Sequence, residues 1–172
     1  VLLDGAGGEG RTDVRRVVVG VGNDLRGDDA AGWETVRRLS PSPAVVLHEH
    51  GGDAPGLVGL WGPHDDVVVV DAVVSDDPPG TIVEVDALAA PLPADVSWAT
   101  THGAGVAEGI ELARVLGQLP RSLVLIGISA KRFDLGAPMT PEVEAAVEAV
   151  VRKLASWTPG RRFPLQSRGV GS

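Results

Sequence analysis

Three segments of the chain are unbroken apolar runs dominated by β-branched residues: VVVGV at 17–21, VVVVDAV at 67–73 and SLVLIGIS at 122–129. A strand with one wet face alternates apolar and polar residues, whereas these runs leave no polar face and need cover on both sides. Strands of that kind belong to a parallel sheet sandwiched between helices.

The intervening segments supply the helices. AAGWETVRRL sets Trp33, Val36 and Leu39 on one helical face, with Asp28 or Asp29 placed to cap the first turn and Pro41 and Pro43 to stop it. AVVLHE, at 44–49, reads as a strand, and Gly51 and Gly52 lead into a short helix, APGLVGLW. In TIVEVD, Thr81, Val83 and Val85 take one face and Ile82, Glu84 and Asp86 the other, the pattern of a half-exposed edge strand. Val106, Ile110, Ala113 and Leu116 recur at helical spacing within 103–119. Thr140 is an N-cap and Pro141 a first helical residue for a stripe of Val143, Val147, Val150, Val151 and Leu154. The expected fold is α/β, a three-layer αβα sandwich with a mostly parallel five-stranded sheet and one antiparallel edge strand.

At 172 residues the chain fits one domain. Residues 16–156 carry all the periodic segments; 1–15 and 157–172 mix Gly, Pro and charge without periodicity and read as flexible tails. The net charge is −8 with no basic block, which argues against nucleic acid as a partner. The chain has no cysteine, so disulfides, thiolate metal sites and cysteine nucleophiles are excluded from it. No apolar run reaches the roughly 20 residues of a membrane helix, and VLLDGAGGEG lacks the layout of a signal peptide. A cytoplasmic protein is expected, and the start at Val rather than Met suggests that Val1 is not the gene's first residue.

In such sheets ligands sit outside the carboxyl ends of the strands, which directs attention to the residues after Val21, after Val70 and before the helix at 103. Gly20-x-Gly22 follows a strand, but Leu25 stands where a dinucleotide fingerprint needs glycine, and Asp24, Asp28 and Asp29 would repel a pyrophosphate. The pair then serves a tight turn. Asp71 follows four valines, a costly place for a carboxylate without partners. His102 precedes a helix in SWATTHGAG. Each alone has an ordinary structural explanation. Together, Asp29, Asp71 and His102 can open on one edge of the sheet, and two carboxylates with an imidazole suit a borderline divalent ion with positions left for substrate or water.

Other chemistries fit less well. GISAK has Lys131 in the last place of a G-x-S-x-G elbow, and HEHGG puts Gly52 where H-E-x-x-H needs its second histidine. Asp71, His102 and Ser129 do occur in a known triad order, which keeps a serine hydrolase as an alternative. His48 and His50 share one strand face with Glu49 opposite, a secondary metal site or simply exposed histidines. Asp65-Asp66 and Asp76-Asp77 read as turn and loop acids.

The chain resembles the hydrogenase maturation proteases, endopeptidases that trim the C-terminal extension of the nickel-iron hydrogenase large subunit. The resemblance runs through GVGNDLRGDDAAGW, HGGDAPGL, VVVVDAV with PPGT, TTHGAGVAEGIELARVLG and LVLIGISAKRFDLGAPMTPEVEAAV, about Val17 to Leu154. It implies that Asp29, Asp71 and His102 fall on metal-contacting, catalytic positions, that Asn23, Gly51 and Gly52 line the substrate cleft, and that the partner is a large-subunit precursor. It also implies that nickel arrives on the substrate and that the isolated protein holds no tightly bound cofactor. Nickel then serves either as Lewis acid or as the mark of a finished substrate with Asp29 or Asp71 as base. A non-catalytic metal-binding or docking module on the same scaffold is the competing reading.

Overall fold

The computed structural model describes residues 14–89, 92, 96–98, 105–158 and 160–166. The valine runs become β1 (Arg16–Val21), β3 (Asp66–Ser75) and β6 (Ser122–Ser129), joined by β2 (Val45–His50), β4 (Ile82–Asp86) and a two-residue β5 (Val96–Ser97). The helices are α1 (Ala31–Arg37), α2 (Ala54–Val58), α3 (Val106–Val115) and α4 (Pro141–Ser156). The sheet runs β2-β1-β3-β6-β4, with β5 attached to the end of β3. β1, β2, β3 and β6 pair in parallel, and β4 closes one edge antiparallel to β6, as the TIVEVD alternation indicates.

Strand alternation sends each valine run to two cores. Val17, Val19, Val21, Val67, Val69 and Val73 pack with Leu57, Val106 and Ile110 from α2 and α3. Val18, Val68, Val70, Ile126 and Ile128 pack on the opposite face with Ala31 and Val36 of α1 and Val143, Val147 and Val150 of α4. These two cores make the three layers. Among the described residues, no helix is long and apolar enough to cross a membrane.

Four expectations change. Asp28 and Asp29 lie in a 3-10 turn, Gly27–Ala30, and make no side-chain cap for α1. α3 ends at Val115, so Leu116, placed on the buried stripe by spacing, is exposed. Asp65 and Asp66 are buried rather than loose turn acids: Asp65 accepts from Arg15 at 3.1 and 2.8 Å, and Asp66 accepts from the Ser122 hydroxyl at 2.7 Å. The segment after α4, read as a tail from 157, buries Trp157 and Phe163 against the α1–α4 face, because two aromatic rings there have an apolar surface to cover.

Candidate active site

The chain leaves β1 through α1 to reach β2 on one side, then returns through α2 to β3 on the other. α1 and α2 lie on opposite faces, so the connection reverses between β1 and β3, and in open α/β sheets that reversal is where ligands bind. Asp29 stands in the turn that follows β1. Asp71 stands one residue past Val70, the last β3 residue paired with β1. The sequence therefore placed both acids at the switch point of the sheet.

Asp71 shares the parity of Val69 and Val73, which directs its side chain to the α2–α3 side, and it is only 2 % exposed. Burial, and then the charge of Asp29, push its carboxyl well above the usual carboxylate range, while the Ala72 N–H pulls the other way. Asp29 is half-buried. Two carboxyls that feel each other at a poorly solvated position are stabilised together by a shared proton or by a cation.

Glycines let α1 start directly on the sheet. A Cβ on Gly32 would lie 2.1 Å from the Val21 carbonyl oxygen and 2.5 Å from that of Val70, so no side chain fits between the helix and the strands. Gly22, at φ +146°, passes so close to Asp29 that a Cβ would lie 1.9 Å from its carbonyl oxygen. The glycine pair after β1 thus serves close backbone approach at the acid turn, more than the simple tight turn expected.

Asn23 closes that loop: its N–H donates to the Asp29 carbonyl at 3.1 Å and its side-chain oxygen accepts from Leu25 N at 2.9 Å. Gly51 is exposed with open space where a Cβ would be, whereas Gly52 is buried, at φ +89°, and donates to His50 Nδ1 at 2.9 Å. His102 lies outside the described residues. Among those described, no cluster of three or more His, Cys, Asp or Glu side chains suits a metal ion.

The competing chemistries lose ground. Ser129 is fully buried and its hydroxyl pairs with that of Ser75 at 2.7 Å, which gives a nucleophile no access. His48 is held below the ordinary histidine range by burial, by His50 and by Arg15. His50 faces Asp53 at 3.4 Å, and Glu49 turns to Arg37 at 2.8 Å on the other face of β2. Sequence reasoning missed Asp28, which is 0 % exposed and accepts four hydrogen bonds from residues 131, 132 and 140. Its partners lie more than a hundred positions away, and the Asp-Asp pair itself carried the only signal.

A doubly wound α/β sheet with two acids at its switch point defines a class: α/β proteins whose ligand-binding position lies outside the carboxyl ends of the central strands. The family model described as hydrogenase maturation protease matches residues 34–157, a stretch that includes Asp71. The chain is 30% identical over 151 residues to the hydrogenase 2 maturation protease of Escherichia coli K12, covering 82% of this chain and 88% of that one. It is 31% identical over 152 residues to the hydrogenase expression/formation protein HupD of Rhizobium leguminosarum bv. viciae, covering 83% and 75%. The structure of the [NiFe] hydrogenase maturation protease HybD from Thermococcus kodakarensis superposes with a TM-score of 0.66 at 29% identity, covering 83% of this chain and all of that one. The chain belongs to the hydrogenase maturation protease family.

Proposed function

We propose that this protein is an endopeptidase that removes the C-terminal extension of a nickel-iron hydrogenase large-subunit precursor after nickel insertion. The observation that carries the reading is the Asp29–Asp71 pair: two electrostatically coupled acids at the β1–β3 switch point of a chain in this family. The cation that relieves such a pair is, on this reading, the nickel held by the thiolates of the substrate. Asp29 and Asp71 offer carboxylate oxygens and His102 an imidazole nitrogen, a donor set that suits a borderline divalent ion already carrying soft ligands.

In this mechanism the acids and His102 fix the precursor by its metal and so hold the scissile peptide beside them, converting an encounter into a positioned reaction. A water adds its hydroxyl to the acyl carbon and its proton passes to the departing amine. Asp29, the less buried acid, takes the proton from water and passes it to the departing amine, while Asp71 would give up its own proton to solvent as the substrate's cation binds and would then face that cation as a carboxylate. The chain carries no resident cofactor in this scheme. Gly51 leaves the approach of the substrate tail unobstructed.

Incubation with nickel-loaded precursor tests the proposal by the mass of the large subunit. Loss of the extension is the expected result, abolished in Asp29→Asn, Asp71→Asn and His102→Ala, each still folded. Tight binding without cleavage favours the docking module instead. Wild-type turnover in any one variant removes that residue from the assignment.

A further inference from the structure

Asp28 and Asp29 are neighbours with opposite surroundings. The fully buried Asp28 carboxylate accepts from Thr140 N at 2.7 Å and Thr140 Oγ1 at 2.9 Å on one oxygen, and from Lys131 N at 3.1 Å and Arg132 N at 3.0 Å on the other. Its own N–H donates to the Arg132 carbonyl at 2.8 Å. Two further bonds run alongside: Gly136 N to the Leu25 carbonyl at 2.7 Å, and Arg26 Nε to the Phe133 carbonyl at 3.3 Å. Residues 25–28, after β1, are therefore sewn to the loop between β6 and α4.

A carboxylate with both oxygens doubly engaged has one orientation and no lone pair to spare for a ligand. The turn it anchors is the one that carries Asp29. That turn is braced on its other side by Asn23 N to the Asp29 carbonyl at 3.1 Å and by Asp29 N to the Arg26 carbonyl at 3.2 Å.

We propose that Asp28 is a positioning residue: it fixes the place of the Asp29 carboxylate by clamping the turn Gly27–Ala30 to the loop 131–140. The consequence for turnover rests on the peptidase reading above; the geometric claim does not. An asparagine at 28 keeps one acceptor oxygen but aims an NH2 group at donors that need an acceptor, so the clamp opens on one side.

The test compares Asp28→Asn and Thr140→Val, which removes one of the four donors, with Val147→Ala, a buried α4 substitution remote from the clamp. Crystal structures are solved and cleavage of nickel-loaded precursor is measured at a temperature where every variant is folded. We expect Asp28→Asn to displace the Asp29 carboxylate and to lower kcat about 10–100-fold, with a smaller change in KM. Thr140→Val moves both readouts in the same direction by less, and Val147→Ala moves neither. An Asp29 carboxylate within about 0.5 Å of its wild-type place in Asp28→Asn, or turnover equal to that of Val147→Ala, overturns the proposal. Should Asp28→Asn fail to fold, Thr140→Val decides by the same two readouts. If the wild type cleaves nothing, the peptidase reading falls, and the displacement of Asp29 still decides the role of Asp28.

Discussion

Gly127 faces Asp71 across the β3–β6 ladder, and the Trp98 indole fills the space that a side chain at 127 would need. A Cβ there would lie 2.9 Å from Trp98 Cη2 and 3.0 Å from both Val73 methyls. The wall beside the buried acid is thus built by a ring and a missing side chain. Gly127→Ala should force the indole or Val73 to shift and cost about 1–3 kcal/mol, read as a lower urea midpoint with an altered tryptophan signal. An unchanged midpoint would show that the wall yields without cost.

The same ring makes a second expectation. Trp98 Nε1 is buried with no hydrogen-bond partner among the described residues, whereas Trp61 Nε1 donates to the Gln118 carbonyl at 3.0 Å. Replacing either ring by phenylalanine removes similar apolar volume, but only Trp61→Phe also breaks a hydrogen bond. Trp98→Phe should therefore be the milder change by about 1 kcal/mol. Equal losses in chemical denaturation would contradict the difference.

Asp71 sets the sign of a pH effect. Burial and the neighbouring Asp29 raise its folded pKa, so the folded protein holds a proton that the unfolded chain, with an aspartate pKa of about 3.9, gives up earlier. The contribution to stability is complete below the unfolded value and is lost as pH rises through the folded one. Asp71→Asn removes that loss. Its stability should fall less than the wild type's between acid and neutral pH, and Asp29→Asn should give a partial version by lowering the Asp71 pKa. Parallel pH profiles for the wild type and Asp71→Asn would show that the carboxyl is not under this strain.

The central strands, the antiparallel edge and the placement of Asp29 and Asp71 were legible because each depends on local pattern. Unbroken valine runs have few folds available, and an acid following such a run lies toward the carboxyl end of its strand, although β3 continues to Ser75 and Asp71 sits within it, paired with Gly127, rather than after it. The role of Asp28 was hidden, since a capping aspartate and one that accepts from a distant loop look alike in sequence. Glu84 shows the same limit. Alternation puts it on the outward face of β4, yet its side chain is 4% exposed, because chain from beyond α4 lies over it. What sequence periodicity describes is one element's face, and long-range cover decides whether that face is wet.

That cover carries the last expectation. The Lys153 ammonium sits 2.5 and 2.6 Å from the two Glu84 oxygens, Gln166 N donates to one of them at 2.7 Å, and the ammonium lies 4.9 Å from the centre of the Phe163 ring. Phe163 meets Trp157 edge-on at 5.3 Å, and Arg16, stacked over Trp157, donates to its carbonyl. Phe163→Ala should then cost about 3–5 kcal/mol, far more than a free tail residue would. Lys153→Met leaves a buried carboxylate with a single backbone donor and should cost about 3–5 kcal/mol. The double change Glu84→Met with Lys153→Met removes both charges, so it should be milder than Lys153→Met alone. If the double variant is the less stable in a denaturant titration, the pair contributes more than its desolvation costs, and the strap is held by charge rather than by the aromatic rings.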